Sequence, residues 1–196
     1  MRESELTRKT KETCISMKVN LDNNEESIIN TGIGFLDHML ELFAFHSNIS
    51  LKIECKGDLN VDGHHSTEDI GICLGKLFKE VLGDKKGINR YGDSFLPMDE
   101  TLAHCSLDIS GRPYLVFNVE LPSEKVGDFE TELTEEFFRA VAMNCGITLH
   151  FNLEYGKNTH HIIEALFKSF GKAFKQAITI NENNKNKLLS SKGVLD

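Results

Sequence analysis

The feature that most constrains this chain is that it contains one unit twice. His64–Leu82 (HHSTEDIGICLGKLFKEVL) and His160–Ile178 (HHIIEALFKSFGKAFKQAI) align without a gap. His64, His65, Glu68, Gly75, Lys76, Phe78 and Lys79 find identical partners in His160, His161, Glu164, Gly171, Lys172, Phe174 and Lys175. Those seven identities in nineteen positions compare with roughly one expected by chance. Upstream, after a two-residue change in loop length, Ile49–Glu54 (ISLKIE) matches Ile147–Asn152 (ITLHFN). Both alternate apolar and polar residues, as half-buried strands do. Before each lies a segment, Phe35–Phe45 and Leu133–Met143, with apolar residues at three- and four-residue spacing. Helix, strand, loop and His-His helix thus occur twice, which predicts an internally duplicated α+β unit.

Other segments fit around this plan. Thr13–Leu21 alternates and reads as an edge strand, and Arg112–Leu121 as a strand opened by the Gly111-Arg112-Pro113 turn. Asn158 or Thr159 suits the N-cap of the second His-His helix, and Gly83 the end of the first. No linker composition separates the halves, so residues 1–90 and 91–186 form one fused catalytic domain, followed by a tail, 187–196. The polar stretch from Asn181 onward lacks core-forming periodicity and is expected to have no fixed seat until something binds it.

Charge narrows the partners. Lys and Arg number 22 against 30 Asp and Glu, so nonspecific attraction to nucleic acid or an anionic membrane is not expected. An anionic small substrate stays compatible, because a site needs only a few local cations. Met1–Thr13 is charged and lacks the apolar stretch of a secretory signal. Asp37, His38 and Glu41 interrupt the apolar run Phe35–Phe45, so no segment reads as membrane-spanning. Five cysteines without a Cys-x-x-Cys pair fit reduced, buried thiols of a cytoplasmic protein.

The histidines read as metal ligands. Residues four apart on a helix share a face, whereas neighbours point roughly 100° apart. His64 and Glu68 therefore point together, as do His160 and Glu164, while His65 and His161 point elsewhere. The economical solution has two ions, each taking the first His and the Glu of one helix and the second His of the other. The repeat also sets His38 opposite Glu136, and each could complete a site, although a solvated surface carboxylate accounts equally well for Glu136. Imidazole with carboxylate and no thiolate suits a divalent ion such as Mn, Fe, Co or Zn. A closed structural zinc site would favour cysteine.

Further segments stand in order along nearly the whole chain: Thr10–Thr13 (TKET), Gly32–Leu40 (GIGFLDHML), Asp62–Asp69 (DGHHSTED), Met98–Glu100 (MDE), Asp108–Pro113 (DISGRP), Glu135–Arg139 (EEFFR), Gly156–Glu164 (GKNTHHIIE) and Ser190–Leu195 (SSKGVL). Together they resemble the imidazoleglycerol-phosphate dehydratase family of histidine biosynthesis. The resemblance implies a manganese-dependent carbon–oxygen lyase that converts D-erythro-imidazoleglycerol phosphate to imidazole acetol phosphate. It also implies a homo-oligomer, a 24-mer with sites between subunits. The implied fold has two four-stranded sheets flanking a four-helix layer, with halves like ribosomal protein S5 domain 2. One Mn(2+) would be held by His38, His65, His160 and Glu164, and a second by His64, Glu68, Glu136 and His161. Family members often carry His where Glu136 stands, and a carboxylate can still ligate manganese. Glu12, His46, Arg90, Arg112, Lys168, Ser190, Ser191 and Lys192 match substrate-contacting positions. Arginine offers a fork of donors to a phosphate and lysine a point charge. Asp99 and Glu100 lie in a family motif, where a turn or hydrogen bonding behind the site is the expected role.

These parts suggest a chemistry. The carbon-bound proton to be removed has no carbonyl beside it. Two ions on the substrate's imidazole nitrogens would favour a metal-bound imidazolate. That ring can expel the adjacent hydroxyl and leave a diazafulvene-like species, whose acidified C–H a carboxylate then deprotonates. Glu12 is the candidate for that transfer, with His65, His161 and Glu164 as further catalytic positions. Arg90, Arg112 and Lys192 would hold the phosphate. A dinuclear metallohydrolase is the alternative among enzymes, and a non-catalytic metal-binding scaffold the alternative outside them. The ordered segments argue against the first, and the cations at Arg90, Arg112 and Lys168 against the second.

Overall fold

The computed structural model describes residues 1–23 and 25–195. In the first half, β1 (Glu3–Lys9), β2 (Thr13–Asn20) and β3 (Ile28–Asn30) precede α1 (Gly34–Ser47), β4 (Ser50–Gly57) and α2 (His64–Leu82). The second half runs β5 (Tyr91–Met98), β6 (Thr101–Asp108), β7 (Tyr114–Asn118), a small hairpin of β8 (Lys125–Val126) and β9 (Phe129–Glu130), then α3 (Leu133–Cys145), β10 (Thr148–Tyr155) and α4 (Thr159–Ile178). The two four-stranded sheets have corresponding orders, β1-β2-β4-β3 and β5-β6-β10-β7. In each, only the last pair (β3 with β4, β7 with β10) is parallel. The duplicated α+β architecture expected from the repeat is the one found.

The halves are fused by exchanged helix pairs, for α2 packs on α3 and α1 on α4. The repeated glycine explains how closely they approach. A Cβ at Gly75 would lie 2.7 Å from the Val141 carbonyl oxygen, and one at Gly171 would lie 3.0 Å from that of Phe43. The repeated phenylalanines go further. Phe78 and Phe174 contact each other with ring centroids 4.4 Å apart. Equivalent residues can touch only near the axis relating the halves, so this pair marks the centre of a core that continues through Phe43 and Phe170, stacked at 4.9 Å. Burying such rings is worth roughly 1.5–3 kcal/mol each.

β2 lies inside its sheet, not at the edge, because β1 pairs with it along its full length. Alternation reports one buried face and says nothing of which edges are covered; the charged residues of β1 concealed a strand that turns Leu6 toward the core. The strand after Pro113 is confined to Tyr114–Asn118. Four cysteines are buried, but Cys14 is exposed because it occupies the outward face of β2. Asn158 caps α4, its side chain accepting from the His161 amide at 3.3 Å. The segment past Asn181 is seated on the connection between the halves. A 3-10 turn at Glu182–Asn184 precedes a bond from the Gly87 amide to the Lys187 carbonyl at 3.0 Å. Arg90 Nη1 then donates to the Leu189 carbonyl at 2.7 Å. Among the described residues, no helix is long and apolar enough to cross a membrane.

Candidate active site

The exchanged helices bring together ligands that are distant in sequence. α4 presents His160 and Glu164 one turn apart, and α1 supplies His38. Nε2 of His160 lies 3.3 Å and Nε2 of His38 3.8 Å from the same Glu164 carboxylate oxygen. One donor atom from each falls within 4.8 Å of the others. Glu164 is buried, which by itself would raise its pKa; the hydrogen bond and charge of Lys168, helped by His160 and His38, outweigh this and lower it. Lys168, matched by resemblance to a substrate contact, is thus ion-paired with Glu164 and donates to Met98 Sδ at 3.7 Å. Two imidazole nitrogens converging on one ionised carboxylate are a donor set that fits a divalent transition ion.

The other helix pair carries the corresponding positions. His64 and Glu68 of α2 are 3.9 Å apart, and Glu136 of α3 lines with His64 a cleft of about 470 Å³. Glu136 is turned toward Arg139 Nε at 3.6 Å, so this trio is less gathered than the first.

Among the described residues, only His38, His160 and Glu164 gather their donor atoms within 4.8 Å, so the crossed sets that include His65 and His161 do not close within one chain. Each of these two histidines instead has its own carboxylate behind it. His65 Nδ1 lies 3.1 Å from Asp58, while its Nε2 faces Glu12 at 3.8 Å. His161 Nδ1 lies 2.8 Å from Glu100, and Asp99 approaches Nε2 at 3.8 Å. Those hydrogen bonds raise both histidine pKa values. In return, His161 is the chief cause holding Glu100 at about 2. A carboxylate on Nδ1 fixes the ring and leaves Nε2 for a ligand role. Sequence comparison of the halves could not find Asp58, because it comes from the loop after β4 whereas Glu100 comes from the β5–β6 turn.

A cationic pocket of about 290 Å³ forms where the tail is seated, lined by Arg90, Arg112, Ser190, Ser191 and Lys192. Asp108, to which the sequence reading gave no role, holds Arg90 through bonds of 2.6 and 2.9 Å and stands 3.8 Å from Arg112. His46, at the end of α1, lines a separate cleft with His38, Lys172 and Lys175. Burial first, then Lys172 and Lys168, push its pKa down.

A duplicated α+β fold whose repeated His-His-x-x-Glu helices gather a His-His-Glu donor set defines a class of candidate metal-binding proteins. The family profile described as imidazoleglycerol-phosphate dehydratase matches residues 31–174. An imidazoleglycerol-phosphate dehydratase of Listeria welshimeri is 59% identical, covering all of both chains. One from Clostridium botulinum is also 59% identical, over 98% of this chain and 97% of its own. The crystal structure of the Staphylococcus aureus enzyme superposes with a TM-score of 0.84 at 51% identity, covering 91% of this chain and 99% of that one. That of the Pyrococcus furiosus enzyme, in complex with (S)-C348, gives 0.83 at 36% identity, covering 97% and 100%. The chain belongs to the imidazoleglycerol-phosphate dehydratase family, whose members are dehydratases of histidine biosynthesis.

Proposed function

We propose that this chain dehydrates D-erythro-imidazoleglycerol phosphate with two manganese ions per subunit, in active sites completed between copies of the chain. The observation that carries this reading is the meeting of His38 with His160 and Glu164 across the two halves. His38, His160 and Glu164 would hold one ion together with His65, and His64, Glu68 and Glu136 the other together with His161. His65 and His161 do not join the gathered donor set and have Nδ1 occupied by a carboxylate, which supports their reaching the ions of neighbouring copies in a homo-oligomer, a 24-mer. When bound, the ions supply positive charge at the substrate ring and so stabilise its deprotonated form.

The rest falls to the protein's side chains. Arg90, Arg112, Ser190, Ser191 and Lys192 bind the phosphate and fix the direction of the carbon chain. His46 and Lys168 contact the substrate's polar groups. After the hydroxyl has departed, the Glu12 carboxylate takes the carbon-bound proton and passes it to the hydroxide, so that the net loss is one water. The low Lys and Arg content relative to Asp and Glu supports a small-molecule substrate over nucleic acid, and a cytoplasmic setting fits its reduced thiols. Incubation with imidazoleglycerol phosphate and manganese tests the reading: an enolisable keto product without phosphate release supports it, and liberated inorganic phosphate points to the hydrolase instead.

A further inference from the structure

The β1–β2 turn and the β5–β6 turn are corresponding positions in the two halves. Each carries a glutamate followed by the threonine that opens the next strand: Glu12-Thr13 and Glu100-Thr101. Their carboxylates are used differently. Glu100 is fully engaged, with Oε1 accepting from the amides of Lys157 at 3.2 Å and Asn158 at 2.8 Å, and Oε2 facing His161 Nδ1. It ties its own turn to the start of α4. The Glu12 carboxylate makes no hydrogen bond among the described residues, and its nearest polar contact is His65 Nε2 at 3.8 Å.

Another residue secures the first turn. Asp69 is buried one helical turn beyond His65 on α2. It accepts from Arg8 Nε at 3.0 Å and Arg8 Nη2 at 2.8 Å on one oxygen, and from the Thr13 hydroxyl at 2.5 Å on the other. Arg8 and Thr13 bracket Glu12. The Glu12 amide donates to the Thr10 hydroxyl at 3.1 Å, and its carbonyl accepts from the Asp58 amide at 3.1 Å. Asp58 in turn carries His65 Nδ1. The result is a closed ring through α2, Asp69, the turn, Asp58 and His65, from which the Glu12 carboxylate projects with no hydrogen bond among the described residues. In the second half the position equivalent to Asp69 is Ala165, so no such ring exists and Glu100 must serve as the tether itself.

We infer that Asp69 is a positioning residue which, by taking over the turn's tethering, leaves the Glu12 carboxylate free for proton transfer and fixes its place beside His65. The inference rests on the proposed role of Glu12. Misplacing a reacting group by about an ångström lowers rates on the order of 100-fold. Asp69→Asn, which keeps the shape but weakens both ends of the bridge, should therefore cut kcat about 10- to 100-fold while KM changes less than about threefold.

The test is a double-mutant cycle in the manganese-loaded oligomer. Glu12→Gln should itself lower kcat, and Asp69→Asn should then reduce it less than about twofold more. Thr13→Val removes one end of the bridge with little change in volume and is read the same way should Asp69→Asn fail to assemble. Thr13→Ser, retaining the hydroxyl, should recover most of the rate lost by Thr13→Val. Equal losses in wild-type and Glu12→Gln backgrounds overturn the inference while leaving the Glu12 role standing. So does a kcat loss that tracks lost manganese in elemental analysis. A Glu12→Gln enzyme with wild-type kcat overturns the Glu12 role, and the inference with it.

Discussion

Of the two repeated glycines, Gly75 should be the less replaceable. At Gly75 an added methyl would sit 2.7 Å from the Val141 carbonyl oxygen, 2.9 Å from Asn144 Cβ and 3.0 Å from the Cys145 amide nitrogen. Two of these are backbone atoms of α3, so no side chain can swing aside and the helices must part until the contact reaches an ordinary 3.4 Å or more. A gap of about 0.5–1 Å forfeits a quarter to a half of each dispersion well along the pair, and overpacking of this kind costs about 1–3 kcal/mol. Alanine's better helix propensity returns about 1 kcal/mol. With the cost at the upper end, Gly75→Ala should lose about 2 kcal/mol, which lowers Tm by about 4–8 °C in a chain of this size. At Gly171 the nearest atoms, His46 Cβ and the Phe43 carbonyl oxygen, are at 3.0 Å rather than 2.7 Å, so the helices need part less and Gly171→Ala should lose less than about 1 kcal/mol. Gly34→Ala meets nothing within 4 Å and should be neutral or slightly stabilising. Differential scanning calorimetry of the three variants at one protein concentration and fixed manganese tests the order. A Gly75→Ala protein as stable as Gly34→Ala would refute the close-packing argument.

Three further outcomes follow from the site. Truncation after Leu189 leaves Arg90 an acceptor at Leu189, now a terminal carboxylate, but removes Ser190, Ser191 and Lys192, so KM should rise about tenfold or more with Tm nearly unchanged; unaltered kinetics would deny the tail a role in binding. Arg112→Ala removes a charged donor whose side chain is 59% exposed, and should raise KM about 10- to 100-fold without loss of stability, as read by initial rates and thermal melts. If His65 and His161 complete the metal sites of neighbouring copies, chelation should reduce the particle mass seen by light scattering, whereas an unchanged mass would mean that metal does not hold the assembly.

Much of this was legible in the sequence because the duplication could be read twice. The two His-His helices, the helices before them and the strands between appear where the repeat placed them, and His38 joins His160 and Glu164 as the family resemblance implied. What escaped were features the period-two and period-3.6 patterns do not encode. β1 was hidden because its outward residues are charged, and β5 and β6 because the repeat's identities stop short of the hairpins. The matching Glu-Thr pairs at 12–13 and 100–101 are too short to stand out from chance, yet they carry the difference between a free carboxylate and a tethered one. Asp58 gave no signal and Asp108 only as the first residue of the DISGRP segment, since each acquires its role only when folding sets it behind His65 or Arg90.

Counting metal shows whether helix-paired trios joined to His65 and His161 hold two ions per subunit. Purified protein loaded with manganese, freed of excess and analysed by elemental analysis should hold two ions per subunit, and Glu164→Ala should hold one. A single ion in the wild-type protein, or a Glu164→Ala variant that still holds two, would contradict the account.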